Sequence, residues 1–355
     1  MNSQRLTNSL FLLFVLIISK QIISPDLCRA YYQKEDSIVG IMFYNVENLF
    51  DIQDDSLKND EEFLPVAPRR WTYSRMKQKF TNISRVILNA GGWNLPVIIG
   101  LCEVENSWVL SSLLYETGLY GLGYRYVHHE SPDERGIDVA MFYRTNHFSV
   151  INSTSYVVDF GENDRPTRDI LYVKGILKET DTLHLFVNHW PSRLGGAIAT
   201  HPKREKAAMT LKSVCDSIMS VIPDAKIIIM GDFNEEAKSE IIRDKINAGD
   251  KDDELPFVNL ALHAKGAEGT LKYQQTWSVF DQIIVSGSLL NNKSSIRLKE
   301  PVQHIIALPF LLEHDPVYGG QRPFRTYSGF RYIGGFSDHL PVLIELEILT
   351  GENVQ

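Results

Sequence analysis

The chain has 355 residues, 44% hydrophobic and 23% charged, with a formal net charge of −8. That composition supports a substantial core and excludes a disordered, fibrous or multi-span membrane protein. The acidic balance argues against strong non-specific gripping of duplex nucleic acid, which needs clustered Lys and Arg.

Residues 1–30 stand apart. Arg5 precedes the apolar run LFLLFVLII (10–18), and Cys28-Arg29-Ala30 offers small residues at a cleavage spacing. The segment reads as a signal peptide cut near Ala30, because Lys20 interrupts the run too early for a membrane-anchoring helix. Pro25-Asp26-Leu27 do not suit a lipid anchor on Cys28. Removing it takes away Arg5, Lys20, Arg29 and Asp26, a net +2, so the mature chain carries −10 and is expected in a secreted or periplasmic location. No stable membrane span is expected in that mature chain, and a monomer is expected.

Strands are predicted over 38–46, 96–104, 137–143, 183–190, 225–233, 279–286 and 340–349. Most are nearly continuous in β-branched and other apolar residues, as strands covered on both faces are. Met76, Phe80, Ile83, Ile87 and Ala90 form a helical stripe ended by Gly91-Gly92. A second helix starts at Asn106 and closes at Gly118, and a third carries Ala207, Ala208, Leu211, Cys215, Ile218 and Ile222 before Pro223. Doubly buried strands with amphipathic helices predict sheet packed on sheet with helices outside. Cys102 and Cys215 read as core thiols, with one disulfide as the alternative. The irregular stretch 291–335 interleaves Arg322, Arg325 and Arg331 with Phe324, Tyr327, Phe330 and Tyr332, and reads as a mobile surface loop or a lid for an anionic substrate.

Each strand ends in polar groups that a core would reject. FYNVEN holds Asn45 and Glu47, LCEVEN holds Glu103 and Glu105, and GDFNEE holds Asp232 and Asn234. Residues i and i+2 of a strand share a face, so each pair can aim at one spot. His189, Asp281 and the adjacent Asp338 and His339 add to them. Carboxylates gathered in one place need a cation or protons, and hard oxygen donors without cysteine point to Mg²⁺ or Mn²⁺.

FYNVENLFD, GLCEVEN, RGIDVAMFYR, VNHWPSR, GDFN, FDQIIVS and SDHLPV follow the order seen in the endonuclease/exonuclease/phosphatase superfamily, which the chain resembles from about Ile38 to Leu349. The resemblance implies an α/β (α+β) four-layer sandwich, two mixed, mostly antiparallel sheets face to face with helices outside, and one site at their upper edge. Because that site would draw on both Asn45 and His339, residues 31–355 are expected to form a single domain. By the same resemblance Glu103 is the principal metal ligand, with Asn45, Glu47 and Asp338 completing or adjusting the coordination. Asp232 would orient or deprotonate the attacking water, Asn234 would hold it or a phosphate oxygen, and His189 would donate to the phosphate. His339 would contact the scissile phosphate while Asp281 fixes its tautomer. Arg168, Arg193 and Arg325 are candidate substrate-binding groups.

Cys102 stands where many members have Gln, and Gln282 where many have Tyr or Arg; the second departure argues against a close inositol-phosphatase relative. The leading expectation is a secreted Mg²⁺-dependent (or Mn²⁺-dependent) phosphodiesterase with a phosphate-ester substrate, nucleic acid among the candidates. The alternatives are a phosphatase or lipid phosphodiesterase acting on inositol phosphates, sphingomyelin or nucleotides, and a non-catalytic binding protein.

Overall fold

The computed structural model describes residues 37–92, 94–162 and 164–349; the expected signal peptide over 1–30 lies outside the described residues. The first half supplies β1 (Ile38–Leu49), α1 (Tyr73–Ala90), β2 (Ile98–Val104), α2 (Ser107–Tyr115), β3 (Tyr124–His128), β4 (Asp138–Arg144), β5 (Phe148–Tyr156), β6 (Ile170–Leu177) and β7 (Asp181–His189). Next come α3 (Ala197–Val221), β8 (Lys226–Asp232), the short β9 (Ala248–Gly249) and β10 (Phe257–Asn259), and the hairpin of β11 (Leu271–Tyr273) with β12 (Thr276–Ser278). The last part holds β13 (Asp281–Ser286), β14 (Ile296–Leu298), β15 (His304–Ile305), the hairpins β16 (Leu312–His314) with β17 (Gln321–Pro323) and β18 (Tyr327–Ser328) with β19 (Arg331–Tyr332), and β20 (Val342–Ile348).

These strands build two seven-stranded mixed sheets, ordered β14-β20-β1-β2-β4-β3 with β15 beside β20, and β5-β6-β7-β8-β13-β10-β9. β1 and β2 are parallel and joined through α1; β7 and β8 are parallel and joined through α3. Only a crossover of this kind returns a chain in the same direction. Most other long pairings are antiparallel.

Continuous hydrophobicity is explained by burial on both faces. In β8, Ile228 and Met230 point into the core between the sheets, while Ile227 and Ile229 point outward against Ala207, Ala208, Leu211 and Cys215 of α3. On the other side, Met76, Phe80, Ile83 and Ile87 of α1 join the main core and are 0% exposed. The sheets approach closely enough that a Cβ on Gly100 of β2 would lie 2.6 Å from the Met230 sulfur, so a side chain there would push the layers apart.

Asn106 caps α2 as expected, its side chain accepting from the backbone amides of Trp108 and Val109; the helix ends at Tyr115, short of Gly118. α3 begins at Ala197, ten residues before its first buried pair Ala207 and Ala208, because most of its first two turns lack an inward apolar stripe; Ile222 lies beyond its end and is exposed. β3, β5 and β6 were not among the expected strands: β5 is an edge strand with polar outward residues, and Lys174 and Gly175 break the run in β6. Cys102 and Cys215 are both free and buried, which removes the disulfide alternative. The 291–335 stretch is not one loop but the edge strand β14, the short β15 beside β20 and two hairpins, and its cations are largely paired: Arg297 with Glu347, Lys299 with Glu345 and Arg322 with Glu313. Among the described residues no helix is long and apolar enough to cross a membrane.

Leu101 is 0% exposed in the centre of β2. Leu101→Ala should cost about 2–5 kcal/mol in urea unfolding, whereas Val221→Ala, 79% exposed, should stay within about 0.5 kcal/mol.

Candidate active site

Strand direction alone brings the polar ends together. β1, β2, β7 and β8 finish at the same edge at which β13 begins and the chain enters β20, so Asn45, Glu103, His189, Asp232 and Asp281 converge from five strands and His339 from the segment before β20. The register confirms it: Asp232 pairs with His189 on one side and Asp281 on the other.

Backbone geometry sharpens the arrangement. Among the described residues nine non-glycine positions have positive φ, and four of them, Glu47, Asn48, Glu103 and Asn234, lie at this edge. Such conformations cost about 1–3 kcal/mol each and persist where the surroundings over-determine them. Glu103 (φ 61°) is the extra residue of a bulge between β2 and β4. A bulge re-aims a side chain, so the shared-face expectation for Glu103 and Glu105 fails. Glu103 faces Asn45 and His189, while Glu105 accepts the Asp51 amide at 2.5 Å and burial pushes its carboxyl up to about 8.

The Asn45 amide Nδ2 donates to Asp232 Oδ2 at 3.1 Å and to Glu103 Oε1 at 3.4 Å. Its Oδ1 accepts the Glu47 amide at 2.9 Å. Asn45 therefore bridges the carboxylates of Asp232 and Glu103 as a donor, while its oxygen is taken by the Glu47 amide. Glu103 Oε2 accepts the Asn48 amide at 2.9 Å. His339 Nδ1 hydrogen-bonds Asp281 Oδ2 at 2.7 Å, and its Nε2 lies 3.8 Å from Asp232 Oδ2. His189 Nε2 lies 3.8 Å from the same Asp232 oxygen and 3.9 Å from Glu103.

The two imidazoles around Asp232 are driven apart. Burial, then the charges of Arg168, Arg135 and His339, hold His189 well below the ordinary histidine value. Burial also opposes charge on His339, but Asp281 and Asp232 outweigh it and hold that imidazole well above. Burial, reinforced by Asp281, pushes Asp232 up to about 7 although His339 pulls the other way. A neutral and a cationic imidazole facing one carboxylate divide donor and acceptor duties.

Glu47 and Asp338 belong to a flanking network. Glu47 Oε2 accepts the Thr326 amide at 2.7 Å and lies 3.8 Å from Lys79 Nζ; Arg325 Nε is 3.7 Å from Glu47 Oε1 and its other nitrogen ion-pairs with Asp338. Protein cations already meet both charges, so of the four expected ligands Glu103 alone keeps its oxygens toward the central cluster. The adjacent Asp338 and His339 do turn to different partners, as opposed faces require.

Two expected substrate arginines serve the framework. Arg168 is buried, donating to Asp133 at 3.1 Å and to the Trp190 carbonyl at 2.8 Å. Arg193 donates to the Asn234 carbonyl at 2.8 Å and to Glu235 at 2.9 Å, and stacks over Phe280. Asn234 donates its amide to Asp232 Oδ1 at 3.0 Å and its Nδ2 to the Trp190 carbonyl at 3.1 Å. Gln282 is wholly buried and receives Asn259 at 2.7 Å. Arg325 keeps its side chain 40% exposed beside the cluster.

Sequence reasoning missed Lys79, Arg135 and Ser337. Lys79 was detectable, three residues after Met76 and four before Ile83 on the apolar stripe. Arg135 lies in the quoted RGIDVAMFYR stretch and donates to Asn48 at 2.6 Å. Ser337 Oγ donates to the Asn45 carbonyl at 2.7 Å and accepts the His339 amide at 3.1 Å, which only the fold reveals. His128, Glu130 and Asp138 form a second acid-imidazole group, closed by a His128–Asp138 hydrogen bond of 2.9 Å.

The central cluster fits a divalent cation. Asp232, Asp281 and His339 present buried ligand atoms within 4.8 Å of one another, Asp281 Oδ1 is buried without a partner, and Glu103 adds a further carboxylate. Hard, buried anionic oxygens of this kind suit Mg²⁺ or Mn²⁺.

A family model described as Endonuclease/Exonuclease/phosphatase family matches residues 40–348. The chain belongs to that family and is a hydrolase of phosphate esters, a class that depends on divalent metal. No curated protein matches the sequence. Among solved structures, a mannosyl-6-phosphatase of Bacteroides thetaiotaomicron shares 16% identity over 87% of this chain and 99% of its own, with a TM-score of 0.57. The TDP2 of D. rerio complexed with a single-strand DNA product shares 13% over 88% and 100%, at 0.52. The human Nocturnin catalytic domain with a bound sulfate anion shares 15% over 88% and 95%, at 0.50. At these identities the likeness is one of fold.

The raised Asp232 carboxyl has a consequence for stability. Its proton stabilises the metal-free fold fully below the ordinary carboxylate range, and that contribution is lost as pH rises through about 7. Protons and cation compete for the same oxygens, so Mg²⁺ should raise the Tm more at pH 8 than at pH 5. Differential scanning fluorimetry with and without EDTA checks this, and Asp232→Asn should flatten the difference.

Proposed function

We propose that the chain is an exported, monomeric, Mg²⁺-dependent phosphodiesterase, with a nuclease-like reaction as its leading form. The observation that carries the reading is the Asp281–His339 pair, 2.7 Å apart, facing the carboxylate of Asp232, with His189 lying between that carboxylate and Glu103. When bound, the cation would be held by Glu103 with help from the Asp232 side, and would neutralise charge on a phosphate oxygen.

The protein's own groups supply the rest. Asp281 accepts the Nδ1 proton of His339 and so points a cationic Nε2–H at the reacting phosphate, where negative charge builds. Asp232 stays largely ionised only above about pH 7 in the metal-free protein; as a carboxylate it accepts a proton from the attacking water, which its neighbour Asn234 helps to hold. His189, kept neutral, positions its Nε2 beside both Asp232 and Glu103 and donates to a non-bridging oxygen. Arg325, half open to solvent, meets a substrate phosphate at the rim.

A phosphatase acting on a small soluble ester is the second reading. The acidic mature chain favours it, since a long polyanion would meet repulsion away from the site. Salt separates the two: an enzyme gripping several phosphates weakens steeply as salt rises, and one holding a single phosphate does not.

Purified mature protein should hydrolyse bis-nitrophenyl phosphate with Mg²⁺ and stop on adding EDTA, and a panel of plasmid DNA, RNA, sphingomyelin, inositol phosphates and sugar phosphates should rank the substrates. Glu103→Gln and His339→Ala should each lower kcat by at least about 100-fold in a folded protein. Turnover unchanged in either variant would refute the role given to that residue.

A further inference from the structure

The apolar stripe of α1 carries a buried cation. Lys79 is 1% exposed, and an ammonium in that position requires partners to offset its lost hydration. Its Nζ donates to Thr326 Oγ1 at 2.6 Å and to the Phe336 carbonyl at 2.5 Å, and stands 3.8 Å from Glu47 Oε2. Nearly one turn further along, Asn82 Nδ2 donates to the carbonyls of Gly334 at 3.1 Å and Gly335 at 2.7 Å. Gly335 is wedged so tightly that a Cβ would lie 2.2 Å from the Phe324 oxygen and 2.3 Å from that of Arg325. Thus α1 grips both limbs of residues 324–336 from beneath.

That segment leads directly into the site. Thr326 fixes Glu47 through its amide, Arg325 pairs with Asp338, and Ser337 ties the backbone of His339 to that of Asn45. Lys79, Glu47, Arg325 and Asp338 form a chain of alternating charge, two cations and two anions, along one wall of the cluster.

We propose that Lys79 is a positioning residue of the active site. It touches no substrate; through Glu47, Thr326 and Phe336 it sets the wall on which Asp338 holds Arg325 and from which His339 faces the cation site. The proposal rests on the metal-assisted reading above. A packing role alone would not require the charge, since methionine fills nearly the same space.

Lys79→Met tests it beside Ile83→Ala, a change on the same buried helix face with no tie to the site. Free Mn²⁺ is followed by electron paramagnetic resonance, kcat with bis-nitrophenyl phosphate, and Tm by fluorimetry. Lys79→Met should weaken Mn²⁺ binding and lower kcat by about 10–100-fold, the usual penalty for removing a group that orients a metal site. Ile83→Ala should lower Tm and leave both other readouts unchanged. If Lys79→Met binds Mn²⁺ and turns over as Ile83→Ala does, Lys79 is only a core residue and the proposal falls. Should Lys79→Met not fold, Thr326→Val, which deletes the hydroxyl that Lys79 holds, decides by the same readouts. Glu103→Gln separates the two levels: if it keeps full Mn²⁺ affinity and turnover, the metal reading itself fails, whatever Lys79 does.

Discussion

Charge compensation at one sheet edge is the constraint on which the rest of the molecule depends. Glu47, Glu103, Asp232, Asp281 and Asp338 are delivered into a region that excludes most water, where each ionised carboxylate is costly unless a cation, a proton or a donor meets it. The protein resolves this unevenly. Lys79 and Arg325 answer Glu47 and Asp338, His339 answers Asp281, and Asn45 donates between Asp232 and Glu103. The centre keeps carboxylates that no protein cation fully offsets: burial holds the Asp232 carboxyl raised, and Oδ1 of Asp281 is buried without a partner. A divalent cation is what that residue of charge fits.

The scaffold can hold such a centre because it is covered on both sides. A fully buried core between the sheets and a second one beneath α3 leave the strand ends little freedom. Against that rigidity, the left-handed backbone at Glu47, Glu103 and Asn234 can be maintained and the side chains kept aimed before substrate arrives. The same rigidity explains why arginines near the site, Arg168 and Arg193, are tied into loops rather than left to reach for phosphate: they hold the Trp190 and Asn234 backbones in place.

Much of this was legible along the chain. Doubly apolar runs announced strands covered on both faces, the stripe from Met76 to Ala90 announced α1, and Asn106 announced a cap. GDFN and SDH, with polar residues closing each strand, named Glu103, Asp232, Asp281, His189 and His339 as the residues to watch. Strands such as β5 were hidden because an edge strand with polar outward residues looks like a loop. Lys79 was overlooked although its spacing places it on the buried face.

The sequence by itself determined which residues are apolar on which period, and therefore the layers, the strand ends and the family, since burial acts on local patterns that a linear reading can see. Only the tertiary structure decided which polar groups meet. The bulge at Glu103 overrides strict alternation, and contacts across more than two hundred residues, Lys79 to Thr326 and Asn45 to Ser337, determine which carboxylates are neutralised by protein and which are left for a cation. Electrostatic pairing depends on distance in space, and distance in space is not written in the order of the chain.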